Sequence, residues 1–341
     1  MKKTLFIGTT ADSRNRLDGE TIKCRLLRDY LGSADEISLV SVDTDNWKKH
    51  VIKLVFLIIY NYFRCDNIVV SSADRGAHIV LDFFRRIRCK KDVYYFVIGG
   101  SLYENITEKK WNVNTYLRLK HIYVEANIMK NKLLKLGLNN VSVLNNFRKV
   151  GKYENKYQLS SSVRFVYFGR VIKEKGIEES IKLIKRLNSN GILCTFDIYG
   201  QCDQDYLKRI TMLFDEHVKY HGEIVPDSIT EYEILSQYDI FLFPTYYPNE
   251  GLPGSLIDAY ISGLAVIASD WKYAREYILD GVNGVIFDYE NYEDMYNKTV
   301  SFLKSGKLLS FKNKSLELSK KYNIDELLKD FLKQISAYDE K

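Results

Sequence analysis

The sequence predicts an α/β protein in which two doubly wound parallel-sheet domains face each other across a cleft. Its 341 residues suffice for about two domains. Short apolar runs alternate with amphipathic stretches along the whole length, a pattern typical of parallel sheets with helices on both faces. The composition is 46% hydrophobic and 28% charged with only four prolines, which excludes the disordered and fibrous classes.

Six apolar runs in the first half predict strands, over residues 4–8, 36–42, 67–71, 93–98, 121–125 and 141–144. Amphipathic stretches over 20–31 and 127–136 predict two of the helices that connect them. The polar stretch 148–158 has no apolar period, so we place the seam there and the first domain at residues 1–150.

Six further strands are predicted in the second half, over residues 164–168, 193–199, 219–222, 239–244, 265–268 and 284–287. Amphipathic stretches over 177–187, 203–213 and 256–261 predict helices between them. The second domain therefore covers residues 151–322. A last helix within residues 323–341, at about 324–337, is expected to pack back across the seam.

Charge is distributed unequally between the two halves. Residues 1–150 hold 26 Lys and Arg against 15 Asp and Glu, whereas the remainder holds 24 against 29. The basic half suggests an anionic membrane surface or a phosphorylated acceptor as partner. Nucleic acid is disfavoured because no nucleic-acid-binding motif accompanies the basic charge.

Cysteine usage and hydropathy bear on the compartment. The five cysteines are scattered without a CxxC pair, as in a reduced cytoplasmic protein. No run of 18 apolar residues occurs, and the apolar run near the N-terminus is too short for a signal peptide. We expect a cytoplasmic protein, in peripheral contact with the inner face of the cell membrane if it touches a membrane at all.

The most informative stretch is FLFPTYYPNEGLPGSLIDAYISGLAVIAS, residues 241–269. Glycine and proline before a helix leave backbone amides that, with the helix dipole, suit a diphosphate. Glu250 precedes this anion site and Asp258 lies a turn into the helix, so the two acids can accept hydrogen bonds from sugar and ribose hydroxyls. The alternative is an ordinary strand–loop–helix crossover with solvated acids.

A second stretch, VRFVYFGRVIKEKGIEESIKLI, covers residues 163–184. Its strand ends at Gly169, and Arg170 and Lys175 flank a loop that opens onto a helix. Two cations at the mouth of a cleft can neutralise a leaving diphosphate. The alternative is a solvated basic loop.

Together these stretches resemble the retaining glycosyltransferases of family 4, which have the GT-B fold of two Rossmann-like domains. The resemblance is carried by FGR-x4-KG at 168–176 and EG-x-PGS-x3-A at 250–259, with DIYG, HGEI and GLAVIASD following the family order. LDGETIKCRLL (17–27) and VIGGSL (97–102) extend it, more weakly, into the first half. The chain is most similar to enzymes of bacterial capsule, O-antigen or exopolysaccharide assembly. One departure is Asp258, where the family usually has a second glutamate.

This resemblance implies a nucleotide-diphosphate sugar donor held by the second domain. Arg170 and Lys175 would hold the diphosphate, Glu250 would contact the sugar and Asp258 the ribose. The full set of implied donor contacts is Gly169, Arg170, Lys175, Gly200, Glu223, Ile224, Glu250, Gly251, Leu252, Pro253, Gly254, Ser255 and Asp258. It further implies front-face attack with retention, no metal and no cofactor.

On the acceptor side, the resemblance places Gly19, Gly99 and Gly100 opposite a saccharide or a lipid-linked saccharide.

Two other interpretations stay open. One is a catalytically silent GT-B subunit that binds a nucleotide-sugar or scaffolds a polysaccharide assembly complex. The other is a GT-B epimerase or sugar-phosphate enzyme. The triplet Asp43-Thr44-Asp45 is a weak candidate for a metal site. The sequence contains neither GxGxxG after a first strand nor a P-loop.

The segment 47–64, WKKHVIKLVFLIIYNYFR, is apolar at its centre and basic at both ends. It is too short to span a bilayer but long enough to lie on an anionic one, next to the basic run at 85–91. A buried crossover helix with polar ends is the equal alternative.

Overall fold

The computed structural model describes residues 1–14, 16–149, 157, 160–226 and 228–337, without the side chain of Asp74. The chain folds into two compact units. The first unit consists of Met1–Phe147 and Ile324–Lys341, and the second of Arg148–Asn323. Most of the predicted seam over 148–158 lies outside the described residues.

The first unit is built on a parallel six-stranded sheet, ordered β2-β1-β3-β4-β5-β6. Its strands are β1 (Lys2–Gly8), β2 (Ile37–Asp43), β3 (Asn67–Ala73), β4 (Asp92–Ile98), β5 (His121–Val124) and β6 (Val141–Val143). Its connecting helices are α1 (Gly19–Gly32), α2 (Val51–Arg64), α3 (Asp74–Arg86), α4 (Leu102–Thr107), α5 (Val113–Leu117) and α6 (Asn127–Lys135).

The second unit contains another parallel six-stranded sheet, ordered β12-β11-β10-β7-β8-β9. Its strands are β7 (Val163–Phe168), β8 (Cys194–Tyr199), β9 (Val218–Gly222), β10 (Ile240–Phe243), β11 (Ala265–Ser269) and β12 (Gly284–Phe287). Its helices are α7 (Ile177–Ser189), α8 (Gln204–Thr211), α9 (Ile229–Leu235), α10 (Gly254–Ile261), α11 (Ala274–Tyr277), α12 (Tyr292–Lys304) and α13 (Leu308–Ser319). The predicted α/β class with two parallel sheets is confirmed.

The end of the chain belongs to the core of the first unit. It forms α14 (Ile324–Leu327) and α15 (Lys329–Ser336). Phe331 of α15 contacts the rings of Tyr94, Phe96 and Tyr123 at centroid distances of 5.3, 4.8 and 5.4 Å. Burial of aromatic rings of this size is among the larger apolar contributions to stability. The last helix is therefore an integral part of the first unit.

Local sequence accounts for where the helices begin. Asp18 caps α1, since its carboxylate accepts from the amides of Glu20 and Thr21 at 3.1 Å each. The loop ahead of α7 ends at Gly176, whose φ of +71° places it in the left-handed region that glycine tolerates best. A Cβ at this position would lie 2.4 Å from the carbonyl oxygen of Pro244.

Within the described residues no helix is long and apolar enough to cross a membrane.

Candidate active site

Strand order identifies the crevice of the second unit. From β7 the chain adds β8 and β9 on one side, then returns to add β10, β11 and β12 on the other. The switch point therefore lies between β7 and β10, and in open α/β sheets the ligand crevice forms outside the carboxyl ends of the strands there. The loops that leave these two strands are the two motifs that the sequence singled out.

Lys175 and Glu250, one from each loop, meet in an ion pair at this crevice. The Oγ1 of Thr245 donates to Oε2 of the same carboxylate at 3.1 Å. Both charged side chains are mostly buried, and the Lys175 ammonium lies 4.9 Å from the ring centre of Phe243 and 5.3 Å from that of Tyr247. The structure therefore brings together two residues that lie 75 positions apart in the sequence.

Arg170 lies beside this pair but remains exposed. Its guanidinium is 5.4 Å from the ring centre of Tyr247, so a single aromatic ring contacts both cations. The hydroxyl of Tyr167 donates to the carbonyl oxygen of Arg170 at 2.8 Å and fixes the loop. Burial raises the pKa of that hydroxyl, which keeps it protonated as a donor.

The loops after β7 and β8 touch through two glycines. Gly200 has a φ of +132°, and a Cβ on it would lie 1.8 Å from the carbonyl oxygen of Gly169. No other residue fits at position 200 without moving the loop that carries Arg170. The amide of Gly200 donates to the carbonyl oxygen of Gly222, at the end of β9, at 2.7 Å. The residues that follow β9 include Glu223, which is exposed, and Ile224, which is half-buried. Gly200, Glu223 and Ile224, which the resemblance implies as donor contacts, thus lie at the same edge of the sheet as the cations.

Asp258, for which a ribose contact is predicted, binds an arginine in the structure. Its side chain is fully buried in α10, where Oδ1 and Oδ2 accept from Nε and Nη2 of Arg148 at 2.6 and 3.0 Å. Burial raises the pKa of this carboxyl, while the charge and hydrogen bonds of Arg148 oppose the rise. The carboxylate is therefore already engaged within the second unit, and the ribose contact stays a prediction.

Gly254, a predicted donor contact, lies against the same arginine. A Cβ there would lie 1.9 Å from Nη2 of Arg148, so the glycine makes room for this guanidinium. Its neighbours Gly251, Leu252 and Pro253 are buried, whereas Ser255 is half-buried. Sequence reasoning missed Arg148, because nothing in the polar stretch around it indicates that one arginine is buried.

Glu250 also lines a pocket of about 210 Å³. Tyr247 and Trp271 contribute aromatic surface, and the indole Nε1 of Trp271 donates to the oxygen of Gly251 at 3.3 Å. Sequence reasoning did not select either aromatic residue. Their positions after β10 and β11 were the available signal, since both strands end at the crevice.

In the first unit, the predicted acceptor glycines follow the carboxyl ends of strands. Gly19 is the first residue of α1, while Gly99 and Gly100 follow β4. Beneath them a buried ion pair joins Lys23 to Glu125 at 2.5 Å, and the ammonium also donates to the oxygen of Val97 at 2.9 Å. A cavity of about 330 Å³ opens at the β1/β3 switch point of this sheet, between α2 and α3.

The Asp43-x-Asp45 triplet does not form a metal site. Asp45 pairs with Arg14 and Arg16, and the hydrogen bond from Arg14 lowers the pKa of its carboxyl. Asp43 accepts from the amides of Thr10 and Asp45. In the part of the chain that the structure describes, no group of three or more His, Cys, Asp or Glu side chains has metal-ligand geometry.

Two parallel six-stranded sheets, the second with the 3-2-1-4-5-6 strand order of a dinucleotide-binding fold, define the GT-B class of proteins. Residues 162–305 match the model of the family described as "Glycosyl transferases group 1". This match covers less than half of the chain, and with the two sheets it makes the chain similar to the GT-B glycosyltransferases.

Relatives and solved structures agree with this assignment. The chain is 25% identical over 278 residues to the glycosyltransferase MJ1069 of Methanocaldococcus jannaschii, covering 74% of this chain and 70% of the relative. It is 27% identical to the capsular polysaccharide biosynthesis glycosyltransferase CapM of Staphylococcus aureus, over 53% of this chain and 48% of CapM. The crystal structure of HepE from Anabaena in complex with UDP matches 99% of this chain and all of HepE, with a TM-score of 0.75 at 14% identity.

Proposed function

We propose that this protein is a retaining glycosyltransferase that uses a nucleoside-diphosphate sugar and a lipid-linked saccharide acceptor in surface polysaccharide synthesis. The main observation that supports this proposal is the cluster of Lys175, Glu250 and Arg170 at the switch point of the second sheet. HepE binds UDP in its crystal structure, and CapM is a glycosyltransferase of capsular polysaccharide biosynthesis; both support such a donor and such a pathway.

The cluster suits transfer from a diphosphate because its charges are held in place before the donor arrives. Lys175 is mostly buried, so its interaction with a phosphate is less screened than that of a surface lysine. Glu250 orients Lys175 and keeps one carboxylate oxygen for a sugar hydroxyl. Arg170, together with the amides at the start of α10, faces the developing charge on the leaving diphosphate.

In the transfer step, the acceptor oxygen forms a bond to the anomeric carbon as the bond from that carbon to the phosphate oxygen breaks. With retention, the acceptor approaches the face that the diphosphate leaves. The hydroxyl proton passes to a non-bridging oxygen of the departing phosphate, so the protein need not supply a nucleophile. Arg170 and Lys175 balance the negative charge of that leaving group without a metal ion.

Donor binding by the purified chain tests the proposal. We expect Lys175→Met and Arg170→Met each to raise the Kd for a uridine diphosphate sugar about 10- to 100-fold, because each variant loses one charge-assisted hydrogen bond to the diphosphate. Lys173→Met is the matched control, because Lys173 lies on the same short helical turn with an exposed side chain. Equal Kd values for all three variants and the wild type would show that the phosphates bind elsewhere.

Turnover separates the enzyme from the silent subunit. An active transferase slowly hydrolyses its donor without acceptor, and this hydrolysis should fall with Glu250→Gln. Donor binding with no hydrolysis and no transfer to any lipid-linked saccharide tested would favour the silent subunit.

A further inference from the structure

Helix α2 is apolar around most of its circumference and carries two separate apolar stripes. The inner stripe lines the cavity between α2 and α3 through Val51, Leu54, Val55 and Ile58. The outer stripe consists of Ile52, Phe56, Ile59 and Phe63, whose spacings of four, three and four residues place them on one face. The inner stripe thus has a place within the fold, and the outer one remains to be explained.

The outer stripe faces solvent. Ile52, Phe56 and Phe63 are 88%, 66% and 76% exposed, and Ile59 is 40% exposed. Among the described residues, Phe56 stacks on Tyr60 of the same helix, at 6.1 Å between ring centres, and Tyr60 is itself 47% exposed. A contiguous apolar patch on a soluble protein usually marks an interaction surface.

Charge around the stripe selects the partner. Residues 47–64 contain Lys48, Lys49, Lys53 and Arg64 but no Asp or Glu, and all four basic side chains are exposed. Lys53 and Arg64 are eleven residues apart and therefore line the same flank of the stripe. A second copy docked through this face would bring two such basic sets together, whereas an anionic surface would complement them.

The end of α3 extends the basic rim. Lys91 contacts the carbonyl oxygen of Cys65 just beyond α2, and its ammonium lies 5.2 Å from the ring centre of Tyr62. Arg85 and Arg86 pair with Asp82 at 2.7 and 2.6 Å. Asp82 thus offsets part of the charge of these two arginines. The net positive charge at the end of α3 comes mainly from the residues that follow the helix, Arg88, Lys90 and Lys91.

We propose that the outer stripe of α2 inserts into the interface of an anionic bilayer, with the flanking basic side chains on its phosphate headgroups. An apolar face bordered by Lys and Arg is the pattern of helices that lie in the membrane plane. The inference goes beyond the proposed function, since it concerns the first unit and needs no donor. It would place the cavity behind α2 close to the lipid surface.

Sedimentation of the full chain with vesicles is the primary test. The chain should sediment with vesicles of equimolar phosphatidylcholine and phosphatidylglycerol, much less with phosphatidylcholine alone, and should be released as salt rises. We expect Phe56→Gln/Phe63→Gln to lower the partition coefficient about tenfold or more. Met212→Gln/Leu309→Gln is the matched control, because these apolar side chains are 80% and 56% exposed in the second unit.

The charge contribution has its own variant and control. Lys48→Gln/Lys49→Gln/Lys53→Gln should lower partitioning about a hundredfold, because each basic side chain near an anionic surface contributes about 1 kcal/mol. The control replaces three exposed lysines of the second unit with glutamine: Lys304, Lys307 and Lys321. Donor hydrolysis in solution should be the same in all four variants, which separates this test from that of the proposed function.

Depth of insertion provides an independent readout. Trp47 lies four residues before the first residue of α2, so brominated lipids should quench its fluorescence, and Trp47→Phe should remove the quenched component. The proposal is overturned if the wild type sediments equally with both vesicle types, with neither, or identically to Phe56→Gln/Phe63→Gln. A dimer in solution that Phe56→Gln/Phe63→Gln converts to monomer, with no vesicle binding, would assign the stripe to a second copy instead.

Discussion

Replacing Asp258 by asparagine should destabilise the second unit, whatever its effect on the donor. The substitution keeps the size of the side chain but removes the negative charge that faces Arg148 across two hydrogen bonds of 2.6 and 3.0 Å. Both side chains are almost completely buried, at 2% and 0% exposure. The guanidinium therefore cannot recover its lost partner by turning to water.

The expected magnitude follows from that burial. Removing one member of a buried ion pair typically costs about 3–5 kcal/mol, because the remaining charge stays desolvated. A domain of this size loses about 2–4 °C in Tm per kcal/mol, so a fall of about 10 °C is expected for the transition of the second unit. Arg148→Met should cost a similar amount.

Urea denaturation followed by circular dichroism would measure the free energy of unfolding for the wild type and both single variants. Asp258→Leu and the double variant Arg148→Met/Asp258→Leu complete a double-mutant cycle with Arg148→Met. The double variant should recover much of the loss, because no buried charge then lacks a partner. Gly254→Ala supplies a check without changing charge, since its Cβ would occupy the position of the Arg148 guanidinium. We expect it to destabilise the same transition.

One result would refute this reasoning. If Asp258→Asn left the free energy of unfolding within about 0.5 kcal/mol of the wild type, as a surface change does, and raised the KM for the donor, Asp258 would be exposed to the ribose. The role predicted from the sequence would then be right and the buried pair would not form.

Three further predictions concern catalysis and pH. Glu250→Gln should lower kcat about 10- to 100-fold, because a charged acceptor near the reacting carbon is lost; unchanged kcat in a transfer assay would contradict this. EDTA should leave turnover unchanged, and restoration of a lost activity by Mn²⁺ or Mg²⁺ would contradict it. Burial lowers the pKa of Lys312 from 10.5 to about 8, so the native state binds fewer protons than the unfolded state between these values. The free energy of unfolding of the wild type should therefore rise with pH across that window, by up to about 3 kcal/mol relative to Lys312→Met, when both are measured by urea denaturation at each pH.

Local pattern was sufficient to predict the sheets. Each of the twelve predicted strands has a counterpart, because a strand buried on both faces is a short continuous apolar run bounded by polar or glycine residues. The loops carrying Arg170 and Glu250 were also recognisable, since each directly follows such a run. Their meeting in one crevice follows from the order of the strands, which no single stretch of sequence records.

Contacts between distant residues were not predictable in the same way. Arg148 lies 110 positions from Asp258, in a stretch whose composition is that of a linker. The amphipathic pattern of residues 47–64 left a buried and a surface helix equally open. Exposure of Phe56 and Phe63 depends on what packs against α2, which only the folded unit reveals.

The buried pair clarifies the electrostatics of the proposed donor site. Arg148 and Asp258 together carry no net charge, so the start of α10 contributes its amides without an added cation. Lys175 is balanced by Glu250 until a phosphate arrives, which leaves Arg170 as the source of net positive charge among these five residues. Because Arg170 is exposed, salt would screen its attraction to a phosphate. Lys175 is mostly buried, so its contact with a phosphate would form in a less polar environment. Arg170 is thus suited to attracting the diphosphate, and Lys175 to holding it once its charge is shared between phosphate and Glu250.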